Sequence, residues 1–242
     1  MSYHNNPRIV TDGLIFLLDP ANPNCFGSGE TTATDLVGGK TCSGANGSPG
    51  AGTPTPDTAR MPAYNSTNGG AFYFDGSDGI NVEGDLGSHS AVSYSLWFKA
   101  LDAGTRYFFD ARNDGGGWFI RNYSSININW NNNLKYNFDA TFNGSTSAFV
   151  NTWMYMVATS NSSGTLLYLN GTEITQSTEF RNVYVANYST DEDLGANLRI
   201  GCRYTTSTFW YGYMAHIGIY NKTLSAAEVS QNYNSMKSRF GL

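Results

Sequence analysis

Carboxylates two residues apart on one strand point to the same face, and such a pair can act as acid and nucleophile on a glycosidic bond. The nearest approach in this chain is Glu83-Gly84-Asp85, which lacks the second Glu of a Glu-x-Asp-x-Glu run. Asp191-Glu192-Asp193 is denser, but it falls in a long polar connection that reads as a loop. There is no Gly-x-Ser-x-Gly elbow for a nucleophilic serine. The three histidines, His4, His89 and His216, stand in separate segments, and His216 reads as a structural histidine within a strand.

A binding chemistry has more material. Aromatic faces stack on sugar C–H groups while amides and hydroxyls orient the sugar's own hydroxyls. Trp118, Trp130, Asn131, Asn132, Tyr204 and Trp210 form the candidate carbohydrate set, with Tyr211 beside them. Trp118 and Trp130 adjoin Gly- or Asn-rich turns, whereas Trp97 and Trp153 lie in dense apolar strands and read as core. Calcium needs about 6–8 oxygen ligands, often from loops. Asp19, Asp75, Asp78, Asp191 and Asp193 are the metal candidates. Turn formation explains Asp75-Gly76 and Asp78-Gly79 more simply, and a solvated loop tip explains Asp191 and Asp193. No cofactor is required, and Ca2+ is the one ion to consider.

The elements that must position these groups read as strands. Charged residues are 14% of the 242, against about 25% in an ordinary globular chain. Aromatics also reach 14%, and 27 glycines supply turns. That balance favours an all-β chain. A net charge of −5 without a basic run argues against nucleic acid and membrane surfaces as partners. The N-terminus is polar and reads as lacking a signal peptide. Three cysteines make an odd count, so a simple disulfide framework is disfavoured. Buried thiols are the preferred reading, with a Cys25–Cys42 bridge left open.

Residues 1–12 read as an extended arm and 13–242 as one domain. Gly13 to Asp19 is a short apolar run, and Gly38 to Pro62 is the least structured stretch. Asp75-Gly76 and Asp78-Gly79 are expected to return Ile80 to Glu83 as a hairpin partner of Ala71 to Asp75. Tyr94, Leu96 and Phe98 share one face of a strand, with Trp97 opposite. Asn170-Gly171 marks the clearest hairpin, since both positions tolerate the positive φ of a type I′ turn. Ser225-Ala226-Ala227-Glu228 matches a capping box. Val229, Tyr233 and Met236 then share one face of a short helix ending before Arg239.

These pieces, in this order, resemble the laminin-G-like branch of the concanavalin A-like lectin/glucanase superfamily. The matching pieces are Gly13-Leu14 with Leu18-Asp19, Asp35-Leu36, Phe72 to Gly76, Ser95 to Phe98, Trp153 with Val157, and Leu167 to Gly171. Ile200-Gly201 and Ile219-Tyr220-Asn221 through Leu224-Ser225 complete them. The resemblance implies an antiparallel β-sandwich of jelly-roll type, with about 12–14 strands and one short C-terminal helix. The ending, Asn232-Tyr233-Asn234 through Arg239-Phe240-Gly241-Leu242, is similar to stand-alone members encoded by tailed bacteriophages. It implies a non-enzymatic, lectin-like structural module on the virion surface, as a capsid decoration, fibre or adhesion protein. Its partners would be other virion proteins, a second copy of itself, or cell-surface glycans. A calcium-dependent lectin unconnected with a virion is the second reading, and a glycoside hydrolase of the same fold is the third.

Overall fold

Alternation along the longest strands divides apolar residues between two faces, and that division builds the molecule. The structure is a computed structural model that describes residues 8–27, 29–45, 57–111, 119–122, 126–129, 150–174, 192–193, 198–203 and 208–242. Strands are numbered β1 to β17 along the chain.

Eight strands form one sheet, antiparallel in every pairing. Across it run β14 (Thr172–Glu173), β13 (Gly164–Leu169), β12 (Met154–Asn161), β8 (Ala91–Ala100), β17 (Tyr211–Tyr220), β5 (Ala71–Asp75) and β4 (Ala63–Asn65). β1 (Leu14–Leu18) pairs with Ile217 to Tyr220 of β17, and β5 pairs with Tyr211 to Met214 of the same strand. Seven strands form the second sheet: β11 (Ile126–Asn129), β10 (Phe119–Asn122), β9 (Arg106–Asp110), β16 (Arg199–Ile200), β6 (Ile80–Val82), β3 (Thr41–Gly44) and β2 (Thr32–Thr34). β7 (Ser88–His89) pairs with β15 (Glu192–Asp193) apart from both. The described residues thus hold 17 strands, more than the 12–14 expected, and the excess is made of pieces two or three residues long.

The inward faces meet in the main core, which includes Phe16, Phe72, Phe74, Leu96, Phe98, Phe108, Ile200 and Trp210. The outward face of the eight-stranded sheet carries a second core under helix α1 (Ala226–Met236) and the 3-10 turn Lys237–Phe240. Trp97 is its centre. It stacks on Phe240 at 4.4 Å between ring centroids and on Tyr233 at 5.6 Å, with Tyr155 at 5.1 Å. The expected opposition of Trp97 to Tyr94, Leu96 and Phe98 is therefore what separates the two cores.

Local chemistry locks these layers. Ser225 Oγ accepts from Glu228 N–H while the Glu228 carboxylate accepts from Ser225 N–H, so the capping box forms as read. Asn170 (φ 50°) and Gly171 (φ 81°) make the β13–β14 turn, and Asn170 Oδ1 accepts from Tyr155 N–H at 2.9 Å. Buried Asn232 accepts from Val10 N–H at 2.7 Å and donates to Tyr220 Oη at 3.0 Å, tying the described part of the N-terminal segment to α1. Arg239 clasps Asp19 with both terminal nitrogens, at 2.7 and 2.8 Å, and donates to the carbonyls of Gly69 and Gly70.

Two expectations are corrected. The chain between Asp75 and Ile80 crosses from one sheet to the other, so β6 pairs with β3 and β16 and not with β5. The glycine-rich stretch 38–62 contains β3, whose alternation is hidden because only Cys42 points into the main core. Cys25, Cys42 and Cys202 are all free and buried. Burial pushes the Cys25 and Cys202 thiols up to about 12 and raises Cys42 well above its ordinary value.

Trp97→Ala should remove about 3–5 kcal/mol of unfolding free energy, measured by chemical denaturation. Val37→Ala, at a 46% exposed position, should change it by less than about 0.5 kcal/mol.

Candidate functional site

Among the described residues, helix α1 and its 3-10 extension leave part of the outward face of the eight-stranded sheet uncovered. Beside Phe240, the pleat of β5 and β17 brings Tyr73 and Tyr213 directly opposite each other. Their rings lie 5.2 Å apart, and Trp153 backs Tyr213 at 6.3 Å. Tyr211 lies two residues along the same face, where it adds to the environment of Tyr73. Partial burial raises the Tyr73 phenol above its ordinary pKa, with Tyr211 and Tyr213 adding to it. Lys99, opposite Tyr213 on β8, places its ammonium 5.9 Å from that ring centroid and 3.5 Å from Asn68 Oδ1. All three tyrosines, Lys99 and Asn68 are half-buried. The result is an aromatic platform with one cation and one amide at its rim, a combination suited to stacking against a sugar ring and fixing its hydroxyls.

Residues 65–230 match the family model described as concanavalin A-like lectin/glucanases superfamily. The chain belongs to that superfamily. Comparison with curated protein sequences gave no match. Among solved structures, domain 4 of AbnA, a GH43 extracellular arabinanase from Geobacillus stearothermophilus, superposes with a TM-score of 0.61 at 19% identity. The match covers 91% of this chain and 98% of that one. The ligand-binding domain of botulinum neurotoxin serotype D gives 0.59 at 18% identity, over 92% and 50%. The binding domain of botulinum neurotoxin DC gives 0.62 at 15% identity, over 93% and 52%. This superfamily chain thus spans about half the length of those neurotoxin domains. At these identities the likeness establishes the fold, a concanavalin A-like sandwich with one short C-terminal helix.

The acidic pair of a glucanase is not assembled among the described residues of this superfamily chain. β6 ends at Val82, so Glu83 and Asp85 lie beyond the strand and do not share its face, and Asp85 accepts from Gly87 N–H at 2.7 Å. Asp75 and Asp78 do come together, as neighbours in one turn. Asp75 accepts from Ser77 N–H and Oγ, and Asp78 accepts from Asp75 N–H at 3.1 Å. Burial, and then the adjoining Asp75 carboxylate, push Asp78 up to about 6, while the bonds from Ser77 hold Asp75 below its usual value. Both carboxyls are engaged within one turn, whereas a retaining pair stands about 5–5.5 Å apart across a substrate.

The other sequence candidates divide as follows. Trp210 is a correction: it is fully buried between Phe98 and Phe108 in the main core and presents no face to a ligand. Its place follows from Cys202 and Phe209, whose bridge turns the chain inward just before β17. Trp118, Trp130, Asn131, Asn132, Tyr204 and Asp191 lie outside the described residues. Asp193 belongs to the β15–β7 ladder instead of a loop tip. Asp19 has both oxygens on Arg239, whereas Asp75 and Asp78 each give one oxygen to their own turn. No group of three or more His, Cys, Asp or Glu able to hold a metal gathers among the described residues. His216 (φ 46°) occupies a bulge where β17 takes three steps to two on β8, and burial pushes its pKa below the ordinary value. Tyr73 and Tyr213 were not singled out as ligand groups. Alternation alone assigned them to a face, and only the short reach of α1 leaves that part of the face open.

Asp78 binds its proton more tightly folded than unfolded. Its protonated form therefore stabilises the protein below about pH 4, and that contribution is lost as pH rises through about 6. Asp78→Asn should raise stability at pH 7 by the order of 1 kcal/mol, allowing for solvent screening, with the difference vanishing near pH 4. Thermal melts across pH 4–8 measure it.

Proposed function

We propose that this protein is a non-enzymatic, lectin-like module that holds glycans on the Tyr73–Tyr211–Tyr213 patch. The observation that carries the reading is the Tyr73–Tyr213 pair, 5.2 Å apart and half-exposed, with Lys99 and Asn68 at its edge. Aromatic rings, a cation and an amide recognise a sugar without any group to cleave it. Two proteins of the same fold were solved with saccharides, the arabinanase domain with arabinotriose and the neurotoxin D domain with N-acetylneuraminic acid. The turn-bound arrangement of Asp75 and Asp78 supports binding over hydrolysis.

The finer reading places the module on the surface of a tailed-phage particle, as a capsid decoration, fibre or adhesion protein. It rests on the resemblance of the Asn232 to Leu242 ending to phage-encoded members of the superfamily. Its partners there would be other virion proteins or further copies of itself.

On a glycan array the protein should retain a defined subset of saccharides, and Tyr213→Ala should weaken the best of them about tenfold, the equivalent of about 1.4 kcal/mol. Incubation with the same saccharides should release no reducing ends. Binding untouched by Tyr73→Ala and Tyr213→Ala would remove the patch from the reading, and measurable turnover would remove the non-enzymatic role. Particles should carry the protein in fixed stoichiometry after density-gradient purification.

A further inference from the structure

We infer that a second saccharide site, selective for neutral sugars, lies at the N-terminal end of α1, in a groove between that helix and the β12–β13 hairpin. The groove has a volume of about 390 Å³ and is lined by Thr159, Asn161, Ser163, Leu166, Tyr168 and Thr223, among others. That size is within the range of small-molecule sites, roughly 300–1,000 Å³.

Strand register explains the lining. On β12, Tyr155 and Val157 point outward beneath α1, and Thr159 and Asn161 continue the same face past the helix's first turn. Leu166 stands opposite Thr159 on β13, with Tyr168 two residues on. Leu166 is 43% exposed, an apolar floor without a cover among the described residues. Ser160 and Thr165 point the other way and satisfy each other at 2.9 Å. Thr159 has no such partner. It is 98% buried by residue, being only 2% exposed, yet its hydroxyl makes no hydrogen bond to any described residue. The hydroxyls of Ser163 and Thr223 likewise have none among the described residues. These hydroxyls line the groove with donor and acceptor capacity that the described residues do not use, and a sugar's own hydroxyls can take it up.

The charge pattern selects the ligand class. No charged side chain lines the groove. At one end Lys222 donates to Asp12 and to Glu228, each at 2.6 Å, and Glu228 is held by the capping box. At the other, Glu173 stands opposite Tyr168 and, after burial, its carboxylate raises that phenol's pKa, so the one charge at this rim is negative. Hydroxyls, an amide and an apolar floor match the alternating O–H and C–H surfaces of an uncharged sugar. Nothing in the lining offsets the desolvation of a carboxylate, and Glu173 beside Tyr168 repels one. The tyrosine patch, with Lys99, differs in exactly this respect. The groove rests on the same general reading of the protein as a sugar binder but on none of the same residues.

Titration calorimetry of the full chain with lactose, maltose, cellobiose and arabinotriose, and with 3′-sialyllactose as the charged comparison, tests the proposal. At least one neutral sugar should bind, and Thr159→Val should weaken it about fivefold, equivalent to about 1 kcal/mol. Leu166→Arg, at an exposed position, should abolish that binding while leaving the thermal melt and the Tyr213-dependent array signal unchanged. The inference is overturned if neutral-sugar affinity survives Leu166→Arg, or if none of the neutral sugars binds. It is also overturned if Leu166→Arg acts only by dissociating a self-associated form, seen by analytical ultracentrifugation, which would make the groove an interface between copies. Loss of binding in Tyr213→Ala alone would uphold the proposed function and refute this second site.

Discussion

The burial of both faces of β8 and β17 is the constraint on which the rest of the structure depends. One face of these strands supplies Leu96, Phe98 and Met214 to the space between the sheets, and the other supplies Trp97, Ala215 and Tyr220 to the layer under α1. An eleven-residue helix cannot cover an eight-stranded sheet. It covers Trp97 and leaves tyrosines beyond one end and hydroxyls beyond the other. The two candidate binding surfaces are thus consequences of one mismatch in size between a sheet and the helix that seals its middle.

The polar groups elsewhere are mostly consumed by the fold. Asp35 is buried and accepts from Leu17, Val37 and Gly38 N–H. Asp19 is bound by Arg239, and Asp75 and Asp78 shape the crossing between the sheets. A cross-strand row, Ser43, Asn81, Arg199 and Asp110, runs along the outward face of the seven-stranded sheet and is buried throughout. Carboxylates used in this way hold the chain in register.

Much of the architecture was legible in the residues because it follows from short-range rules. Period-two alternation placed Trp97 against Leu96 and Phe98, Asn170-Gly171 set a turn, and Ser225 with Glu228 began a helix. What was not legible depends on distant parts of the chain. Trp210 lies in a dense aromatic stretch and looks like a platform until Phe98 and Phe108 close over it. Asp78-Gly79 reads as a hairpin turn, but Ile80 finds better burial in the other sheet, against Ile200. Tyr73 and Tyr213 are ordinary strand residues by pattern. Their partial exposure comes from where α1 and its extension stop, more than twenty residues after Tyr213 in sequence.

The most direct measurement is a titration of protein carrying 13C-labelled tyrosine with the best saccharide found on an array, followed by NMR. Resonances of Tyr73, Tyr211 and Tyr213 should shift in a saturable manner while those of Tyr94 and Tyr155, sealed in the two cores, stay in place. Saturable binding that leaves all three surface tyrosines unmoved would contradict the claim that the uncovered face of the eight-stranded sheet is where this protein meets its ligand.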